Sequence, residues 1–173
     1  IALGAQDCAF LEHGALTGEV SPEDLREQGC AYVLIGHSER RHTLGESDVI
    51  VVAKLRAAVA AGLTPVLCVG ETAEEHAAGE RDAVLARQCA ALMDAGCHAP
   101  IIAYEPVWAI GAGTPAAPED AASAAAVIAA HVGNARILYG GSVTPSSVTD
   151  FLRVGGISGV LVGTASQSGD ILC

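Results

Sequence analysis

Six short apolar runs recur along the chain at intervals of roughly 30 residues: IALGA (1–5), YVLIG (32–36), PVLCV (65–69), PIIAY (100–104), RILYG (136–140) and GVLV (159–162). None shows polar alternation, the pattern expected of strands buried on both faces of a parallel sheet. Helical stretches with explicit start signals lie between them. Ser21-Pro22-Glu23-Asp24 offers an N-cap, a first-turn proline and acids at the positive end of the helix dipole. Thr144-Pro145 and Pro118-Glu119-Asp120 repeat that arrangement, and Gly29, Gly62 and Gly96 stand where helices should stop. The pattern predicts an α/β domain over residues 1–173, its parallel strands joined by right-handed crossovers. Periodicity alone leaves open a barrel or an open, doubly wound sheet. Both build their sites at the C-terminal ends of the strands.

Charge and cysteine usage narrow the function classes. No apolar run approaches the roughly 20 residues of a membrane-spanning helix, and the first ten residues lack the basic start of a signal peptide. A net charge of −11 argues against nucleic acid or an anionic membrane as partner. The 6 cysteines form no CxxC pair and no zinc spacing, so they read as small core residues of a reducing, cytoplasmic compartment. No metal site is expected.

The strand ends carry the chemistry. His37 follows YVLIG where a helix begins, a position that favours a neutral imidazole. Glu105 follows an apolar strand and runs at once into Pro106, Trp108 and the glycines Gly111 and Gly113, which suggests a placed acid or base ahead of a movable loop. The turns at 140–142 (GGS) and 163–166 (GTAS) open helices after the last two strands, and their free N–H groups suit a phosphate.

YVLIGHSERR, AYEPVWAIGAG, ILYGGSV and GVLVGTAS resemble the hallmark segments of the triosephosphate isomerase family, in order and at nearly its spacing. GAQDC and GALTGEVSPEDL are similar to its third strand and the loop that follows. The resemblance spans essentially the whole chain. It implies a (β/α)8 barrel of which strands 3–8 are represented here, with two further βα units and a lysine-bearing first strand expected before Ile1. It also implies an isomerase of glycolysis and gluconeogenesis, interconverting dihydroxyacetone phosphate and glyceraldehyde 3-phosphate through an enediolate without metal or organic cofactor.

Carried onto this sequence, the resemblance makes Glu105 the base, His37 the neutral electrophile and Glu39 a supporting carboxylate. Gly111, Ser142, Gly163 and Thr164 would hold the phosphate. Trp108, Ala109, Ile110, Gly111, Ala112 and Gly113 would form a lid, latched by Tyr139 and Ser142. Thr17 would sit on a loop reaching into the partner of a homodimer, and Arg41 and Glu19 would be structural ion-pair members. Two departures stand out: Thr164 replaces a usual glycine, and Thr114-Pro115-Ala116 ends the lid with a proline that removes a backbone donor. Alternative readings are another phosphosugar barrel enzyme, such as an aldolase, or an inactive fragment serving as an interaction module. A Schiff-base aldolase needs a lysine at a strand end, and the only lysine, Lys54, is expected on a helix facing solvent.

Overall fold

All six apolar runs become strands in the computed structural model, which describes residues 1–11, 14–97, 100–111 and 115–167. They are β1 (Leu3–Ala5), β2 (Cys30–Ile35), β3 (Thr64–Val69), β4 (Ile101–Tyr104), β5 (Arg136–Tyr139) and β6 (Gly159–Val160). The helices are α1 (Pro22–Glu27), α2 (Ser38–His42), α3 (Asp48–Ala60), α4 (Ala73–Ala77), α5 (Arg81–Ala95), α6 (Pro118–Val132) and α7 (Val148–Arg153). Ser21 Oγ accepts the Asp24 N–H at 3.0 Å, and Pro22 and Pro118 occupy the first helical turn. Gly96 closes α5 in the left-handed region at φ 69°. Thr144 Oγ1 accepts the Ser147 N–H at 3.2 Å, but α7 begins only at Val148, because a separate turn precedes it. Among the described residues no helix is long and apolar enough to cross a membrane.

Every strand pair is parallel, and the strands lie side by side in chain order from β1 to β6. A doubly wound sheet reverses its order at a switch point. The order here never reverses, so the six strands form a curled arc of a (β/α)8 barrel.

Alternation along the strands sorts their side chains onto two faces. Val33, Ile35, Leu67, Val69, Ile102, Tyr104, Ile137 and Tyr139 pack against the helices in the larger core. Val66, Cys68, Ile101 and Ala103 form a smaller cluster on the concave face, flanked by Tyr32, Leu34, Leu138 and Leu161. Burial on both faces holds for β3 and β4. It does not hold for β1, whose Leu3 is exposed, because β1 pairs only with β2 at the edge of the arc.

The expectation for Lys54 is overturned. Lys54 is 1% exposed, with Nζ 2.7 Å from Asp7 Oδ2 and 2.6 Å from Glu46 Oε1. Arg40 completes the cluster, its Nε 3.0 Å from Asp7 and its Nη2 bonded to Glu46 and, at 3.4 Å, to Glu19. Val51, Lys54, Leu55 and Ala58 share one buried stripe of α3, so the helix turns the lysine inward. Burial alone would push the Glu46 carboxyl up, but Lys54 and Arg40 hold it below the ordinary value. Glu19 therefore pairs with Arg40, while Arg41 pairs with Asp48 at 2.6 Å.

Truncating one member of a buried ion cluster leaves uncompensated charge, at a cost of about 3–5 kcal/mol. Lys54→Met should lose about that much unfolding free energy in a urea titration. A loss below about 1 kcal/mol, the range of an exposed pair, would contradict the buried assignment.

Candidate active site

Glu105 continues the concave-face parity of Ile101 and Ala103, one step past the end of β4. Its N–H bonds the Val69 carbonyl at 2.7 Å, which extends the ladder with β3, and Gly140 N–H bonds the Tyr104 carbonyl at 2.8 Å on the other side. The neighbours across the ladder at this level are glycines. A Cβ at Gly70 would stand 1.9 Å from the Glu105 carbonyl oxygen, and one at Gly140 would stand 2.9 Å from Glu105 Cγ. Gln88 of α5 secures the first of these: its side-chain amide accepts the Gly70 N–H at 2.8 Å and donates to the Gly70 carbonyl at 3.3 Å.

His37 reaches the concave face by a turn. Gly36 follows β2 at φ 73°, a left-handed conformation that changes the facing of the next residue. Arg41 Nε bonds the Gly36 carbonyl at 2.7 Å and fixes that turn. His37 caps α2: its Nδ1 accepts the Glu39 N–H at 3.3 Å. An accepting Nδ1 places the ring proton on Nε2, which lies 3.4 Å from Glu105 Oε1.

Glu105 is 3% exposed, and its Oε2 has no hydrogen-bond partner. Burial raises its carboxyl above the ordinary value; His37, the Cys68 thiol and the Ser38 amide pull the other way, and Glu39 adds to the rise. A carboxylate so placed is a stronger base than one in water.

His37, Glu39, Glu105, Ile110, Gly111, Ser142, Gly163 and Thr164 line one cavity of about 500 Å³. Its far wall is the two glycine turns. Ser142 sits there at φ 45°, rare for a side-chain-bearing residue, and its Oγ donates to the Ala109 carbonyl at 2.5 Å. Thr164 opens a short 3-10 turn, Thr164–Gln167. Glu39 is exposed at the rim.

Trp108, Ala109 and Tyr139 stand behind this wall rather than in it. Tyr139 is buried, stacks on Phe151 with ring centroids 3.9 Å apart, and its hydroxyl accepts the Ala116 N–H at 2.9 Å. Ala112 and Gly113 lie outside the described residues. Thr17 occupies an exposed turn away from the cavity. Among the described residues no group of three or more His, Cys, Asp or Glu is placed to hold a metal.

Sequence reasoning missed Gln6, which lines the cavity, and also Gly70, Gln88 and Glu71. Glu71 is fully buried and accepts from Trp108 Nε1 at 2.9 Å and from the Tyr104 hydroxyl at 3.2 Å. Its one sequence signal is the segment VGE at the end of β3, which parallels the AYE at the end of β4.

The family profile described as triosephosphate isomerase matches residues 1–172. A triosephosphate isomerase of Ectopseudomonas mendocina (strain ymp) is 49% identical over 183 residues, covering 98% of this chain and 73% of that protein. One of Aquifex aeolicus (strain VF5) is 48% identical over 177 residues, covering 96% and 72%. One of Azoarcus sp. (strain BH72) is 48% identical over 179 residues, covering 98% and 74%.

The buried carboxylate has a thermodynamic signature. Because burial raises the folded-state value above the ordinary 4.5, the unfolded chain releases the Glu105 proton first. Its contribution to stability is full below that ordinary value and is lost as pH rises through the folded-state one. Glu105→Gln should therefore melt above the native protein at about pH 7 and level with it near pH 4, by calorimetry. Equal melting temperatures at neutral pH would contradict the raised value.

Proposed function

The chain belongs to the triosephosphate isomerase family, and on that premise we propose how its cavity carries the interconversion of dihydroxyacetone phosphate and glyceraldehyde 3-phosphate. The observation that carries the reading is the meeting, in one cavity, of a buried carboxylate, a histidine whose Nε2 faces it, and two glycine turns. Glu105 removes a proton from the carbon next to the substrate carbonyl. His37, with Nδ1 occupied by the Glu39 amide, directs Nε2–H at the carbonyl oxygen and stabilises the enediolate as charge develops there. Glu105 then returns the proton to the adjacent carbon, and His37 moves protons between the two oxygens. The N–H groups of Gly111, Ser142, Gly163 and Thr164 hold the phosphate, so that substrate binding and carbon chemistry occupy opposite walls.

The aldolase alternative has no support from Lys54, which is committed to Asp7 and Glu46 and does not line the cavity. Cys8, Cys30, Cys68, Cys89 and Cys97 are free thiols, which supports a reducing, cytoplasmic setting.

Assembly is proposed as a homodimer through the loop that carries Thr17. The Ala9 N–H to Val20 carbonyl bond at 2.8 Å closes the base of this loop. Phe10, Leu11 and Val20 beside that base are exposed apolar side chains, suited to burial against a second copy. Sedimentation at assay concentration should give a dimer; a fully active monomer would contradict it.

The activity reading is tested on the base. Glu105→Gln should lower kcat by several orders of magnitude while a phosphate-bearing inhibitor still binds. Near-native turnover by that variant would remove Glu105 from its role.

A further inference from the structure

Helix α4 takes no part in the chemistry above, yet its His76 lies against the turn that follows Glu105. The imidazole centroid is 4.4 Å from that of Trp108, with the planes 36° apart. His76 Nδ1 is 3.2 Å from Glu71 Oε1, the oxygen that also accepts the Trp108 indole N–H. The Glu71 backbone carbonyl accepts the Val107 N–H at 3.0 Å. One buried carboxylate thus fastens the 107–109 turn by both its side chain and its main chain.

A carboxylate with no exposed surface needs a cation or a full set of donors. Among the described residues, His76 is the basic side chain within ion-pair distance of Glu71. The other groups around it come from three elements. Tyr104 of β4 shares Glu71. Glu74 and Glu75 lie on α4 itself, and Glu80 precedes α5. On α5, Arg81 pairs with Asp82, and Arg87 pairs with Asp48 and Glu75. None of these arginines reaches Glu71.

We propose that His76 is a positioning residue: through Glu71 and Trp108, and according to its own charge, it sets how firmly the 106–109 turn and the attached Glu105 are held. An imidazolium makes the contact to Glu71 a charge-assisted hydrogen bond. The same ring places its positive charge over the indole. Both interactions favour the observed placement of Trp108, and both weaken when the imidazole is neutral. Imidazole is the side chain whose charge changes across about pH 5 to 8. Firmer placement of the turn holds Glu105 closer to the geometry of proton abstraction. This catalytic consequence rests on the isomerase reading above; the contact itself does not.

Trp108 is the only tryptophan in the chain, so intrinsic fluorescence reports directly from this contact. An imidazolium lying against an indole quenches its emission, so the native protein should be dimmer at mildly acid than at alkaline pH. His76→Gln should abolish the change, and His131→Gln, remote on α6, should retain it. At about pH 6, His76→Gln should lower kcat roughly tenfold with KM within about twofold, and His76→Arg, with its permanent charge, should restore kcat and flatten its pH dependence. An unaltered fluorescence titration in His76→Gln, or an unaltered kcat at that pH, would overturn the proposal. Absence of turnover in the native chain would instead count against the isomerase reading, and the fluorescence comparison would still decide on His76.

Discussion

A carboxylate buried between two glycines is the constraint on which the rest of the structure depends. Gly70 and Gly140 leave room that no other residue would leave, and Glu105 fills the level between them with one oxygen unpartnered and the other facing His37. Left alone, such a group would protonate or seek water. It is held instead by backbone: the Val69 carbonyl on one side, Gln88 clamping Gly70 behind it, and Glu71 fastening the turn ahead. These bonds fix where the side chain stands and leave one carboxylate oxygen without a partner. A direct cation on Oε2 would stabilise the fold and lower the proton affinity of the carboxylate.

A second polar cluster does the complementary work on the β1 and β2 side. Lys54 and Arg40 tie Asp7, Glu46 and Glu19 together, joining the end of β1, helix α3 and the loop beyond Thr17. Asp7 adjoins the cavity residue Gln6, and Arg40 adjoins Glu39. This cluster therefore sets the position of one cavity wall without entering it. The ionisable groups lining the cavity are few, and the ion pairs that stabilise the fold lie behind them.

How much of this was legible in the sequence depends on the range of the interaction. Strand positions and helix starts were readable because they are local: Ser21 with Asp24, or a proline in a first turn, signals within four residues. His37 and Glu105 were readable because a polar residue ending an apolar strand is conspicuous. Lys54 was misread because Asp7, its partner, lies 47 residues away, although the stripe of Val51, Leu55 and Ala58 already marked the face as buried. Gly140 was legible only as part of the turn at 140–142, and Gly70 carried no signal; only strand register shows that both flank one side chain. The choice between barrel and doubly wound sheet was closed to periodicity, since both use the same βα unit and differ only in strand order.

Proton transfer by a buried carboxylate leaves an isotopic trace, and that is the most direct measurement available. With the reaction run in D2O and the product examined by NMR, proton transfer through Glu105 predicts solvent deuterium on the carbon that receives the proton, because the protonated base exchanges with solvent during the life of the enediolate. Product formed at the native rate by Glu105→Gln, with the same deuterium content at that carbon, would mean that another group carries the proton, and it would contradict the role given to Glu105.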